Sequence, residues 1–181
     1  MGFFSVSVVG RDRPGIVAGI SRILFELGCN IEDSSSTILS GQFAMLLVVG
    51  FPGESSPGRL DRAFDEVRSK TGLMVSVNAL HDEDFSREKT FRGTPHILSV
   101  YGADRPGIVY RVTQKLADRN VNVTDLETQV VGSKERPVYV MVIEADIPDG
   151  FDMKGLEAEL DELRRELNVS ISIRPIETLE L

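Results

Sequence analysis

The sequence predicts an α+β fold built from two copies of one β-α-β-β-α-β unit. Three observations carry this: an internal repeat at a fixed offset, strand-period and helix-period apolar residues following one another in the same order in each copy, and a length of 181 residues, enough for two small domains. Residues 10–17 read Gly-Arg-Asp-Arg-Pro-Gly-Ile-Val and residues 102–109 read Gly-Ala-Asp-Arg-Pro-Gly-Ile-Val, so seven of eight positions agree at an offset of 92. Over residues 10–40 the same offset gives ten identities in 31 positions, among them Leu24/Leu116, Asn30/Asn122 and Asp33/Asp125. Further on the offset becomes 96, pairing Phe43 with Tyr139 and Met45 with Met141. Four extra residues therefore sit near 132–137, a turn-like stretch where insertion costs little.

The elements follow in order. Phe4, Val6 and Val8 alternate with Ser5 and Ser7, the period of a half-buried strand. Ile16, Val17, Ile20, Ile23, Leu24 and Leu27 repeat at helical spacing, and Gly28 supplies the stop. A second strand is expected over 31–39, a tight turn at Ser40-Gly41-Gln42, and a third strand over 43–49 that is apolar throughout. One helix on Leu60, Phe64 and Val67 and a fourth strand over 74–79 complete the first copy. In the second copy the expected elements are a strand at 97–101, a helix on Ile108, Val112 and Leu116, strands near 121–131 and 138–145, a helix on Leu156, Leu160, Leu163 and Leu167, and a strand over 169–173. This order is the split βαβ, or ferredoxin-like, unit, in which right-handed crossovers place both helices on one face of a four-stranded antiparallel sheet. The expected boundaries are residues 1–80 for module 1, 81–93 for a polar linker, 94–176 for module 2 and 177–181 for a tail. Third strands apolar on both faces, in domains too small to bury much surface alone, predict that modules associate, and a homo-oligomer is expected.

Composition narrows the function. Lys and Arg total 20 against 28 Asp and Glu, and residues 94–181 hold 10 of the former against 16 of the latter. A nucleic-acid partner needs a basic face, so direct DNA or RNA binding is not expected. No apolar run is long enough to cross a bilayer, and the opening residues lack the basic n-region of a secretory signal, so a soluble cytoplasmic protein is expected, without a membrane partner. Cys29 is the one cysteine and His81 and His96 are the two histidines, which leaves no basis for a disulfide framework, a metal centre or a nucleophile with its base. Phosphate-binding glycine loops are absent, no cofactor is expected, and the chain does not read as an enzyme. Cys29 reads as a packing residue, His96 as an ordinary strand residue, and Ser34-Ser35-Ser36 as strand surface.

The repeated Asp-Arg-Pro-Gly-Ile-Val joins the first strand of each copy to its first helix. Asp12 and Asp104 are suited to capping the first turn, Pro14 and Pro106 tolerate that turn, and Gly15 and Gly107 permit close approach to the backbone. The amides of Gly15, Ile16 and Val17, and of Gly107, Ile108 and Val109, then face a possible anion at the positive end of a helix, with Arg13 or Arg105 beside them. Asn30 and Asn122, each 18 residues after its aspartate, are expected at the same end of the module as the loop.

On these residues the chain resembles the ACT domain family: the Asp-Arg-Pro-Gly-Ile-Val loop, the amphipathic helix behind it and the Gly-Cys-Asn-Ile entry to the second strand are similar to that family, in two copies spanning nearly the whole chain. The resemblance implies a regulatory module that senses small molecules, most often amino acids, where modules pair. A tandem pair without a catalytic segment is similar to the glycine cleavage system transcriptional repressor group, which implies action through a protein partner, a transcription regulator or an enzyme. Serine-sensing members hold their ligand from this loop and from the asparagine opening the second strand, positions that fall here on Asp12 with Asn30 and on Asp104 with Asn122. Where those members have an asparagine in the loop this chain has aspartate, suited to a ligand ammonium, and where they have a histidine two residues earlier it has Gly10 or Gly102. The resemblance thus implies a sensor of a glycine- or serine-like amino acid. A ligand-independent interaction module, or a detached regulatory subunit of an amino-acid or one-carbon enzyme, are the alternative readings.

Overall fold

A computed structural model of the chain describes residues 2–52, 57–81, 93–133 and 135–176. The chain divides into two compact units, Met1–Glu88 and Lys89–Leu181. Module 1 runs β1 (Gly2–Arg11), α1 (Ile16–Glu26), β2 (Asn30–Leu39), β3 (Gln42–Phe51), α2 (Pro57–Ala63), α3 (Asp65–Thr71) and β4 (Met74–Leu80). Module 2 runs β5 (Gly93–Gly102), α4 (Ile108–Asp118), β6 (Asn122–Ser133), β7 (Arg136–Pro148), α5 (Met153–Leu167) and β8 (Val169–Pro175). Each holds a four-stranded antiparallel sheet, ordered β2-β3-β1-β4 and β6-β7-β5-β8, so the fold is two ferredoxin-like modules. Gly93, expected in the linker, opens β5; the rest of that linker after His81, and the expected tail, lie outside the described residues. Among the described residues no helix is long and apolar enough to cross a membrane.

Strand alternation builds each core. In module 1 Phe4, Val6 and Val8 of β1 and Phe43, Met45, Leu47, Val49 and Phe51 of β3 are buried on the face that meets Ile16, Ile20 and Leu24 of α1 and Leu60 and Phe64 at the second helical segment. Module 2 repeats the arrangement with Leu98 and Val100, Met141 and Ile143, Val112 and Leu116, and the four leucines of α5. The opposite sheet face of module 1 leaves Leu46, the mid-strand residue of β3, 52% exposed beside Val9 and Met74. His96 is buried in β5 with its Nδ1 2.8 Å from the Thr94 carbonyl oxygen. Cys29 is half-buried against the module 1 core, and burial pushes its thiol pKa up, away from the reactive thiolate.

Both first helices end alike. At α1 the Cys29 amide donates to the Leu24 carbonyl and the Gly28 amide to Phe25, with Gly28 left-handed at φ 71°; at α4 Val121 donates to Leu116 and Asn120 to Ala117, with Asn120 at φ 58°. This is the Schellman pattern, with asparagine replacing glycine in the second copy. Two details differ from the sequence reading. The helix expected across Leu60, Phe64 and Val67 is two segments, because the Phe64 amide bonds Asp61, three residues back, before Arg68 resumes four-residue bonding to Phe64. The Arg68 guanidinium holds the junction by donating to the Asp61 and Val75 carbonyls and to the carboxylates of Asp61 and Asp65. Val17, expected on the buried face of α1, is 45% exposed. The insertion in the second copy falls at the β6–β7 hairpin, as expected: Gly132 pairs with Pro137 and Ser133 with Arg136, which lengthens it.

Module 2 has its own arginine device. Arg119, at the end of α4, donates to Glu159 of α5 at 2.7 Å and lies 3.6 Å from Asp152, which caps α5 by accepting from the Gly155 amide. The hydrogen bond from Arg119 holds the Glu159 carboxyl below the ordinary carboxylate value. A depressed folded-state value stabilises the fold above the unfolded glutamate value of about 4.3, and that contribution disappears as pH falls through the folded value. Urea midpoints measured from neutrality down to pH 3 are therefore expected to fall on the acid side, and Glu159→Gln should flatten the part of that slope belonging to module 2.

Candidate functional site

The two Asp-Arg-Pro-Gly loops are built by one backbone event. Gly15 is the N-cap of α1 at φ 91° and Gly107 the N-cap of α4 at φ 94°, a conformation that a Cβ strains. Their carbonyls accept the first helical bonds, from Gly19 and from Arg111. A Cβ at either glycine would meet nothing within 4 Å, so the residue is set by its left-handed angle and not by close approach of another group. Among the described residues no side chain caps either helix, so Asp12 and Asp104, expected to do so, stand exposed without that bond. Pro14 and Pro106 precede the N-cap instead of occupying the first turn. Arg13 and Arg105 are exposed and form no ion pair among the described residues, while Ile16 and Ile108 turn into the cores and Val17 and Val109 remain at the surface.

Strand register places the asparagines elsewhere. Arg11, the last residue of β1, pairs with Gln42, whereas Asn30 pairs with Gly50, which faces Phe3 near the start of β1. Eight residues of strand separate the two levels, about 27 Å. Asn122 likewise pairs with Asp146, opposite Pro95, while Gly102 pairs with Tyr139. The expectation that loop and asparagine share an end is thus overturned within each module: the crossover helix returns the chain to the start of the first strand. Asn30 is exposed and donates to Glu32 at 3.0 Å. What does share the loop's end is the β2–β3 turn, whose Gly41 carbonyl accepts the Asp12 amide at 2.9 Å, and the junction of α3 with β4.

A cleft of about 260 Å³ opens there in module 1, an element that sequence reading missed. Arg13, Pro14, Gly15 and Ile16 form its rim, with Gly19 and Ile20 of α1 behind them. Val67, Thr71 and Leu73 form the opposite wall. In module 2 the loop has a polar neighbour also missed: Tyr139 of β7, where module 1 has Phe43, is buried. Burial, and then the nearby Asp104 carboxylate, raise its phenol pKa. Among the described residues no group of three or more His, Cys, Asp or Glu is arranged to hold a metal.

Comparison with known proteins gives two ACT domain matches, at residues 3–78 and 96–167. A UPF0237 protein of Methanopyrus kandleri is 44% identical over 73 residues, 40% of this chain and 81% of that protein. The glycine cleavage system transcriptional repressor of Escherichia coli is 24% identical over 176 residues, 96% of this chain and 90% of that protein. Among solved structures, an unknown protein from Galdieria sulphuraria superposes with a TM-score of 0.81 at 25% identity, covering 97% of this chain and 99% of that one. A candidate glycine cleavage system transcriptional repressor superposes at 0.70 with 24% identity, over 98% of each chain, a likeness of fold.

The loop geometry predicts opposite outcomes for neighbouring residues. Gly15→Ala and Gly107→Ala should each cost about 1–2 kcal/mol through the left-handed angle. Asp12→Ala and Asp104→Ala should cost less than the roughly 0.5–2 kcal/mol of a lost N-cap. Urea unfolding of the four variants checks the order.

Proposed function

The chain belongs to the ACT domain family, as a tandem regulatory protein related to the glycine cleavage repressor, and from that premise we propose that it is a non-enzymatic sensor of a small, glycine- or serine-like amino acid that alters association with a partner transcription regulator. One observation carries the reading: in both copies an 11-residue helix opens at a left-handed glycine with no side-chain cap, beside an exposed Asp and Arg. Free amides at the positive helix end suit the ligand carboxylate, and Asp12 or Asp104 suits its ammonium. Because Asn30 and Asn122 lie at the far end of their own sheets, the asparagine that completes a site comes from another module, in this proposal one of a second copy of the chain. Ligand binding is then linked to self-association, and the ligand shifts the partner equilibrium by its differential affinity for the two states.

Calorimetry with glycine, serine and the other common amino acids tests this. Heat is expected with at least one of them, together with a concentration-dependent rise in the thermal midpoint. Asn30→Ala combined with Asn122→Ala should abolish that heat while the protein stays folded. Absence of heat with every amino acid would remove the proposal.

A further inference from the structure

The cleft beside the first loop of module 1 is walled by positions whose counterparts in module 2 carry larger side chains. Gly10 packs on Leu73 and Gly102 on Val169, which fixes α3–β4 against α5–β8 at an offset of 96. Val67 and Thr71 of the cleft wall therefore correspond to Leu163 and Leu167, and Gly19 of α1, at the offset of 92, to Arg111. Leu163 and Leu167 are 3% and 7% exposed, part of the module 2 core. Arg111 reaches across to Glu166 of α5 in an ion pair. In module 1 the residue matching Glu166 is Lys70, which pairs with Glu66 on its own helix, and a Cβ at Gly19 would meet nothing within 4 Å. Three replacements by smaller residues, all on one wall or its lid, leave the space open.

From this we infer that module 1 carries a ligand site, which module 2 lacks, for a short aliphatic carboxylate held between α1 and α3. The volume equals roughly eight or nine waters, room for a branched chain of about four to six carbons. Pro14, Ile16, Ile20, Val67 and Leu73 supply an aliphatic lining, and the Thr71 hydroxyl is already spent, donating to the Val67 carbonyl and accepting from the Leu73 amide. The single charge on the lining is the Arg13 guanidinium, which complements an anion at the rim, and no carboxylate lines the cleft to receive an ammonium. The inference shares the Arg13–Ile16 loop with the amino-acid reading but uses neither asparagine and needs no second module.

The test titrates the full chain with isovalerate, with its neutral amide isovaleramide, and with glycine, following thermal midpoint and methyl resonances. Isovalerate is expected to raise the midpoint at millimolar concentration and to shift the methyls of Ile16, Ile20 and Leu73, leaving Ile108, Leu163 and Leu167 unmoved. Gly19→Arg with Thr71→Leu, which writes the module 2 residues into module 1, should weaken isovalerate at least about tenfold. Gly19→Ala, which keeps most of the space, should retain it. Isovaleramide binding as tightly as isovalerate would overturn the carboxylate assignment, and an isovalerate response unchanged in the plugged variant would overturn the site. No response in the native protein, with the plugged variant sedimenting as a smaller species, would give the cleft to a side chain of a second copy and overturn the inference too. The glycine arm keeps the two proposals separate, because loss of either response leaves the other readable.

Discussion

Antiparallel pairing of the first strand with a neighbour on each side is the constraint from which the rest of each module follows. With β1 held between β3 and β4, the chain must return over the sheet through a helix before β2 and again before β4. Each return sends a connection to a fixed end. The β1–α1 loop, the β2–β3 turn and the α3–β4 junction collect at one end, and the α1–β2 connection and the end of β3 at the other. The conserved geometry of the two copies, down to left-handed angles of 91° and 94° at Gly15 and Gly107, is a consequence of that shared frame.

Within the frame the copies diverge in how their helices are tied down. Module 1 spends its half-buried arginine, Arg68, inside one helical arm, joining α2, α3 and β4, so the two helical layers are held together mainly by apolar contact. Module 2 spends two arginines between layers: Arg119 ties the end of α4 to the start of α5, and Arg111 ties the start of α4 to the end of α5. Partly exposed ion pairs of this kind contribute little stability singly, but each ties one helix to the other. The acidic excess of module 2 is partly explained by this wiring, since Asp152, Glu159 and Glu166 are the partners.

Much of this was legible in the sequence where the signal was local or repeated. The two modules, the strand and helix order, and the Gly28 stop followed from periodicity and from the match of residues 10–17 with 102–109. What escaped depended on topology or on backbone angles. Leu60, Phe64 and Val67 keep helical spacing through a junction that only the hydrogen bonding at Phe64 reveals. Asn30 sits 18 residues after Asp12 in both copies' numbering, but nothing in that spacing says that the crossover carries it to the far end. Asp12 had the chemistry of a cap and lacked the position for one, because Gly15 sets the helix start three residues later. The cleft had a readable trace: Gly19 against Arg111 is the one place in the first helices where a glycine faces a long charged side chain at the repeat offset.

The separation of loop and asparagine also bears on affinity. A carboxylate meeting only the end of one helix gains about 0.3–2 kcal/mol, whereas a sensor working between micromolar and millimolar concentrations needs about 4–8 kcal/mol. On the proposed function, one helix end therefore falls short, and the remaining free energy comes from Asp12 or Asp104 and from groups that a second module brings. In that arrangement occupancy and association are one equilibrium: the ligand strengthens pairing by the same factor that pairing strengthens the ligand. The cleft between α1 and α3 is different in kind, since both of its walls belong to one module and its occupancy owes nothing to pairing. On the two proposals together, the molecule registers two inputs, one that reports on assembly and one that does not.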